Sequence, residues 1–260
     1  MEIPIGSVVK PWHIPLDSIP RVMEWCPTDT EENFKFHWEN TPGYRERAIS
    51  FGWDKPGVIS YRLNSEGFRG DEFNSDNPNI VTLGCSYTFG IGLAEQDIWP
   101  SMLGQHLNLA VHNLAIPGSS PDRAFALAEY WLPILKPQRV YMATPCRGRM
   151  DVILYDGRHE TIMPGDSYDG QYRLNEGEYY KQWIAQEQNS WVNIRRNEAA
   201  VAGLCYSLNI PVCIYRADEC FGWGRDMIGY ARDLMHAGIE GHNMVVENML
   251  GIRSDYRRYY

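Results

Sequence analysis

From residue 79 onward the chain alternates between short apolar runs and longer amphipathic stretches, and this constrains its fold more than any other feature. "NIVTLG" (79–84) reads as a buried strand, and "EQDIWPSMLGQHLN" (95–108) has the period of an amphipathic helix. "AVHNLA" (110–115) is a second strand. "SSPDRAFALAEYWLPIL" (119–135) opens with Ser and Pro, as a helix N-terminus should, and carries an apolar stripe. "RVYMAT" (139–144) is a third strand, "SWVNIRRNEAAVAGLCYSLN" (190–209) a long helix and "IPVCIYRA" (210–217) a fourth strand; a final helix is expected over 238–251. Repeated strand–helix units of this size predict a three-layer α/β/α sandwich with a central, mainly parallel sheet, joined by right-handed crossovers.

Two segments differ in texture. Residues 1–75 are rich in Pro, Trp and charge, with Pro-Gly and Gly punctuation and no sustained helical period. They predict an irregular, β-rich extension packed on a main domain of 76–260; a separate small β domain is the alternative. Residues 151–187 are polar and turn-rich, and read as an insertion whose aromatics (Tyr168, Tyr172, Tyr179, Tyr180, Trp183) either cover the core or stack on a sugar ring.

Charge and cysteine usage exclude several classes of function. The net charge of −9 argues against a nucleic-acid partner, which needs a basic face. No run approaches the ~20 apolar residues of a membrane-spanning helix. The N-terminus, "MEIPIGSVVKPWHIPLDSIP", lacks the basic start and unbroken apolar run of a secretory signal. A cytoplasmic location, or release without a signal peptide, is therefore expected. The 6 cysteines form no C-x-x-C pair and read as reduced thiols. No metal site and no cofactor are expected. The basic, aromatic "RSDYRRYY" (253–260) reads as a docked or exposed end, or as a contact with a partner subunit or anionic ligand.

The reactive site of such a sheet lies beyond the carboxyl ends of its strands. "NIVTLGCSYTFGIGL" (79–93) puts Gly84, Cys85 and Ser86 there, with Ser86 on a strand-to-helix turn. A serine nucleophile needs a base, and the base needs an orienter. Among the 7 histidines, His236 in "ARDLMHAGIEGHNMVVENML" has Asp233 three residues before it, so a tight turn lets the carboxylate reach the imidazole. His242 has no such partner and is expected on the surface of its own helix. His106 and His112 read as surface or packing residues, and His13, His37 and His159 have no orienter.

Taken together, these blocks resemble the SGNH (GDSL-type) hydrolase family over about residues 64–251. "VTLGCSYTFGIGL" matches its first block, with Ser86 at the nucleophile position. "HNLAIPGSS" matches the second, with Gly118 at the oxyanion-hole glycine, and "DLMHAGIEGH" matches the last, with Asp233 and His236 completing a triad. "NSEGFRGDEF" upstream is similar to the lead-in of many members. The resemblance implies a flavodoxin-like fold and a Ser86–His236–Asp233 esterase whose oxyanion hole uses the Ser86 and Gly118 N–H groups. The implied substrate is a small acyl ester or an acylated sugar. The same triad also serves an acyltransferase, and a binding or structural module on a hydrolase scaffold is the alternative of another class. Two departures stand out. Cys85 replaces the usual aspartate, and the third block, expected in "RVYMATPCRGRMD", has no asparagine. Thr144, Arg147 or Arg149 is left to supply that donor, unless the arginines form surface ion pairs with Asp151 or Glu160.

Overall fold

A computed structural model describes residues 21–55, 57–153, 159–162, 183, 186–216 and 229–252. In chain order, β1 (Val22–Met23), α1 (Glu31–Asn40), α2 (Tyr44–Ser50) and β2 (Tyr61–Arg62) come first. They are followed by β3 (Asn79–Leu83), α3 (Ser86–Phe89), α4 (Trp99–Leu107), β4 (Ala110–Asn113), α5 (Pro121–Leu135) and β5 (Arg139–Thr144). The antiparallel ribbon of β6 (Met150–Ile153) and β7 (His159–Ile162) precedes α6 (Glu187–Ser207), β8 (Val212–Arg216) and α7 (Ile239–Met249).

The central sheet has the order β4-β3-β5-β8 and all three pairings are parallel. Its strands are apolar on both faces because helices cover both. Val81 and Leu83 of β3, Val140 and Met142 of β5 and Ile214 of β8 point one way, onto Leu127, Trp131, Val201 and Cys205 of α5 and α6. Ile80, Tyr141, Ala143 and Tyr215 point the other way, onto Trp99 and Leu103 of α4 and Val245 and Met249 of α7. The period of two along each strand thus sorts side chains into two cores, one per face. This is the three-layer sandwich that the alternation predicts.

The chain leaves β3 toward β4 and leaves β5 toward β8, so the switch in direction falls between the carboxyl ends of β3 and β5. Ser86 follows one of these ends and Thr144 closes the other.

The N-terminal segment differs from the β-rich expectation. Over residues 21–75 the described structure has two helices and only a two-residue ladder, Val22↔Arg62 and Met23↔Tyr61. Helix α1 is specified locally: Thr30 caps it by accepting from the Asn33 N–H at 3.1 Å, and Glu31 and Glu32 lie in its first turn. Its apolar residues are mixed with charge, so no clean stripe marks it in the sequence. The segment builds a third core in which Tyr44, Ala48, Trp53 and Tyr61 meet Phe89, Ile91, Leu93 and Ala231. Residues 1–20 and most of the 151–187 segment lie outside the described residues, including Tyr168, Tyr172, Tyr179 and Tyr180. So does the C-terminal stretch 253–260. Among the described residues no helix is long and apolar enough to cross a membrane.

Candidate active site

Gly84 ends β3 where a side chain has no room. A Cβ there would lie 2.1 Å from Thr88 Oγ1 and 2.9 Å from the Ala143 carbonyl of β5. Cys85 then caps the single turn of α3, and Ser86 is its first residue, buried at 5% exposure. The first N–H groups of a helix have no intrahelical acceptor. The Ser86 N–H accordingly has no hydrogen-bond partner among the described residues, and neither has the Gly118 N–H.

Several bonds bring the Gly118 turn to Ser86. The Gly84 carbonyl accepts the Ile116 N–H at 3.3 Å and the Ser119 hydroxyl at 3.0 Å. Asn113 donates to the Thr88 carbonyl at 3.0 Å while its Oδ1 accepts from Thr82 and from the Ala115 N–H. Gly118 itself has φ +77°, a left-handed conformation that glycine adopts without strain. Beyond it, Ser120 caps α5 and donates to Asp151 at 2.6 Å. Asp151 also holds Arg123 in a buried ion pair, and Thr161 donates to it at 2.7 Å. Asp151 is therefore taken by Arg123, not by Arg147 or Arg149.

The segment 231–236 supplies the other half. Asp233 uses its two oxygens differently. Oδ1 accepts the N–H groups of Met235 and His236, each at 3.1 Å, which closes a tight turn around Leu234 with φ +55°. Oδ2 faces Nδ1 of His236 at 2.7 Å. The carboxylate that builds the turn thus also orients the imidazole. Burial pushes the Asp233 carboxyl up, but the His236 contact, the Thr28 hydroxyl and the Met235 N–H outweigh it, and it is held below the usual carboxylate range.

Contacts at Tyr87 and Gly92 join the halves. The Tyr87 ring, adjacent to Ser86, meets the His236 ring edge-on with centroids 4.9 Å apart. The Arg232 N–H donates to the Gly92 carbonyl at 3.0 Å, and a Cβ on Gly92 would lie 2.8 Å from Ala231 Cβ. The turn that bears Ser86 and the turn that bears Asp233 and His236 therefore pack against each other through Tyr87 and Gly92.

The structure gives Thr144 and Arg147 other partners. The Thr144 hydroxyl donates to Glu198 of α6 at 3.0 Å, and Glu198 also takes the Arg216 guanidinium. Arg147 pairs with Glu187 and lies over the Trp191 ring. Arg149 is the residue of this loop that lies against the Ser86 turn: its guanidinium donates to the Ser119 carbonyl at 3.4 Å, and although burial lowers its pKa, the charge of the nearby Cys85 raises it. The neighbouring Cys146 side chain, with Arg149, the Tyr87 N–H and His236, holds the Cys85 thiol well below the ordinary thiol range although burial pushes it up. The five cysteines among the described residues are free thiols.

His242 corrects its expectation. It is fully buried, its Nδ1 accepts the Trp99 N–H at 2.9 Å, and burial lowers its pKa to about 3. The helix face that bears it is covered by α4, a long-range contact that its own sequence does not announce.

Sequence reasoning missed the residues from the N-terminal segment. Thr28 donates to Asp233 Oδ2 at 2.6 Å. Asp29 takes the Arg232 guanidinium in a buried two-pronged pair at 2.8 and 2.7 Å and also accepts from the Tyr61 hydroxyl. Tyr44 donates to the Arg232 carbonyl at 2.5 Å, and the Arg232 guanidinium lies 4.1 Å from the Trp25 ring centroid. A shallow groove lined by Thr28, Thr30, Glu32, Asn33, Phe36 and Met235 opens beside the turn. A larger cavity of about 660 Å³ runs along the β4 edge, and Ser86, Asp233 and His236 are not among its lining residues.

No protein-family model matches the sequence, and no curated protein matches it. Solved structures do. The psychrotrophic esterase EstA from a Pseudoalteromonas species is 11% identical, over 68% of this chain and 96% of that one, with a TM-score of 0.35. A member of the lipolytic protein G-D-S-L family from Veillonella parvula is 12% identical over 68% and 99%, with a TM-score of 0.35. The lipase/acylhydrolase from Enterococcus faecalis is 14% identical over 69% and 99%, with a TM-score of 0.34. These three are among the solved structures to which the chain is similar.

Proposed function

We propose that the chain is a serine-dependent ester hydrolase. One observation carries the reading: a buried carboxylate, Asp233, engages Nδ1 of His236 at 2.7 Å, leaving Nε2 of that ring for a nucleophile. Tyr87, next to Ser86 in the chain, packs against the same ring. In this reading Ser86 Oγ attacks the ester carbonyl as His236 Nε2 takes its proton, and Asp233 stabilises the imidazolium that forms. The unpartnered N–H groups of Ser86 and Gly118 receive the oxyanion. His236 returns the proton to the departing alcohol. Water, deprotonated by the same imidazole, then attacks the acyl-enzyme and releases the acid, restoring Ser86.

The substrate we propose is a short acyl ester, with O-acetylated sugars within the class. The test is hydrolysis of p-nitrophenyl esters from acetate to octanoate, with fluorophosphonate labelling located by mass spectrometry. Ser86→Ala is expected to lower kcat/KM by ~10⁴-fold or more and to abolish labelling. Undiminished turnover in that variant, or a wild-type protein that neither turns over an ester nor is labelled at Ser86, rejects the proposal.

A further inference from the structure

We propose that Thr28, 205 residues from its partner in sequence, is a positioning residue of this site, acting through Asp233 on His236. The inference rests on the serine-hydrolase reading for its catalytic meaning, but its geometry stands independently. Thr28 Oγ1 donates to Asp233 Oδ2 at 2.6 Å, and that oxygen is the one facing His236 Nδ1 at 2.7 Å. With the two backbone N–H groups on Oδ1, the Thr28 hydroxyl completes the set of donors around a carboxylate that is 1% exposed. Without it Oδ2 keeps only the His236 contact among the described side chains, and one of the restraints that hold it in the imidazole plane is lost.

The backbone supports the same conclusion. Thr28 has φ +73°, a left-handed conformation that costs a β-branched residue free energy and persists only where the surroundings impose it. The surroundings do impose it. Asn33 Nδ2 donates to the Thr28 carbonyl at 2.8 Å and, at 3.5 Å, to the Asp233 carbonyl, so one amide spans both strained turns. Next in sequence, Asp29 is locked to Arg232, the residue before Asp233. A turn that needed only its backbone shape would be better served by glycine. Here the strained position carries a hydroxyl aimed at the site carboxylate.

Glycine also provides the decisive test. Thr28→Gly relieves the left-handed strain and deletes the hydroxyl, so stability and positioning move apart. Thr28→Val deletes the hydroxyl at constant shape, and Thr28→Ser keeps it. In Gly and Val variants we expect the rate of fluorophosphonate labelling of Ser86, and kcat, to fall about 10- to 100-fold with KM unchanged, the size that hydrogen bonds to charged groups carry. The Gly variant should melt no lower than Thr28→Val, because relief of the left-handed strain offsets the freedom that glycine adds to the unfolded chain. Thr28→Ser should recover most of the rate. The second readout needs no substrate: the low-field proton resonance of His236 Nδ1–H should be present in wild type and Ser, and broadened or shifted in Gly and Val. Wild-type labelling rates with an unmoved resonance in the Gly variant overturn the inference, as does absence of that resonance in wild type. If wild type is never labelled, the hydrolase reading falls, and the resonance alone decides whether Thr28 positions the pair.

Discussion

The pair of Asp29 and Arg232 ties the N-terminal segment to the segment that carries the candidate base, and its removal makes a quantitative test. The two side chains are 1% and 5% exposed. Deleting one partner of a buried, two-pronged pair leaves an uncompensated charge, which typically costs 3–5 kcal/mol. In Asp29→Ala the stranded guanidinium keeps the Glu24 carbonyl at 2.9 Å and the Trp25 ring face, so the lower end, about 3 kcal/mol, applies. Arg232→Met strands a carboxylate that keeps only the Tyr61 hydroxyl as a side-chain donor and should cost more, about 4 kcal/mol. In a chain of this size 1 kcal/mol moves Tm by about 2 °C, so shifts of about 6 and 8 °C are expected. The double variant Asp29→Ala/Arg232→Met removes both charges at once and should be more stable than the sum of the two single losses implies. Guanidinium unfolding followed by tryptophan fluorescence measures all four proteins. Costs below about 1 kcal/mol for both single variants, or a double variant equal to their sum, refute the argument that the pair is buried and coupled.

Two further outcomes follow from features of the site. His242 has a folded pKa of about 3 against an ordinary 6.5, so the unfolded chain binds the extra proton between those values. Its contribution to stability is whole above pH ~6.5 and is lost as pH falls toward 3, and between pH 7 and 5 wild type should lose about 2 kcal/mol more than His242→Gln in urea titrations. Equal losses would show that His242 is not buried neutral. Gly92→Ala places a Cβ 2.8 Å from Ala231 Cβ and 3.0 Å from the Arg232 nitrogen at φ +77°, so it should cost about 1–3 kcal/mol and slow labelling of Ser86 by displacing the 231–236 segment. A variant as stable and as readily labelled as wild type would show that the close approach has no bearing on the site.

The sequence discloses local relations well and distant ones poorly. The strands β3, β5 and β8 carry apolar residues on both faces because helices cover both, and such runs stand out against amphipathic helices. Asp233 and His236 are three residues apart, so their meeting needs only one turn. Gly84 is readable as a close approach after a strand. By contrast Thr28, Asp29 and Arg232 carry no periodicity that points 200 residues away. Arg149, Arg147 and Thr144 lie within six residues of one another, and only the path of the loop after β5 decides which meets Cys85. His242 and helix α1 were hidden for related reasons. The burial of one depends on α4, and the other is specified by a cap and first-turn acids more than by a stripe.

The long span between Asp29 and Arg232 has a consequence for biosynthesis. On the ribosome, residue 29 is made 203 residues ahead of its cation. At the usual elongation speed that is a wait of roughly 10–40 s. During it, Tyr61 is on hand but the carboxylate lacks its counter-charge, and Ala231, part of the third core, has yet to be synthesised. The N-terminal segment therefore closes last although it is translated first. The turn that bears Ser86 emerges early, yet Asp233 and His236 arrive near the end, so the candidate site comes together only when almost the whole chain has been made.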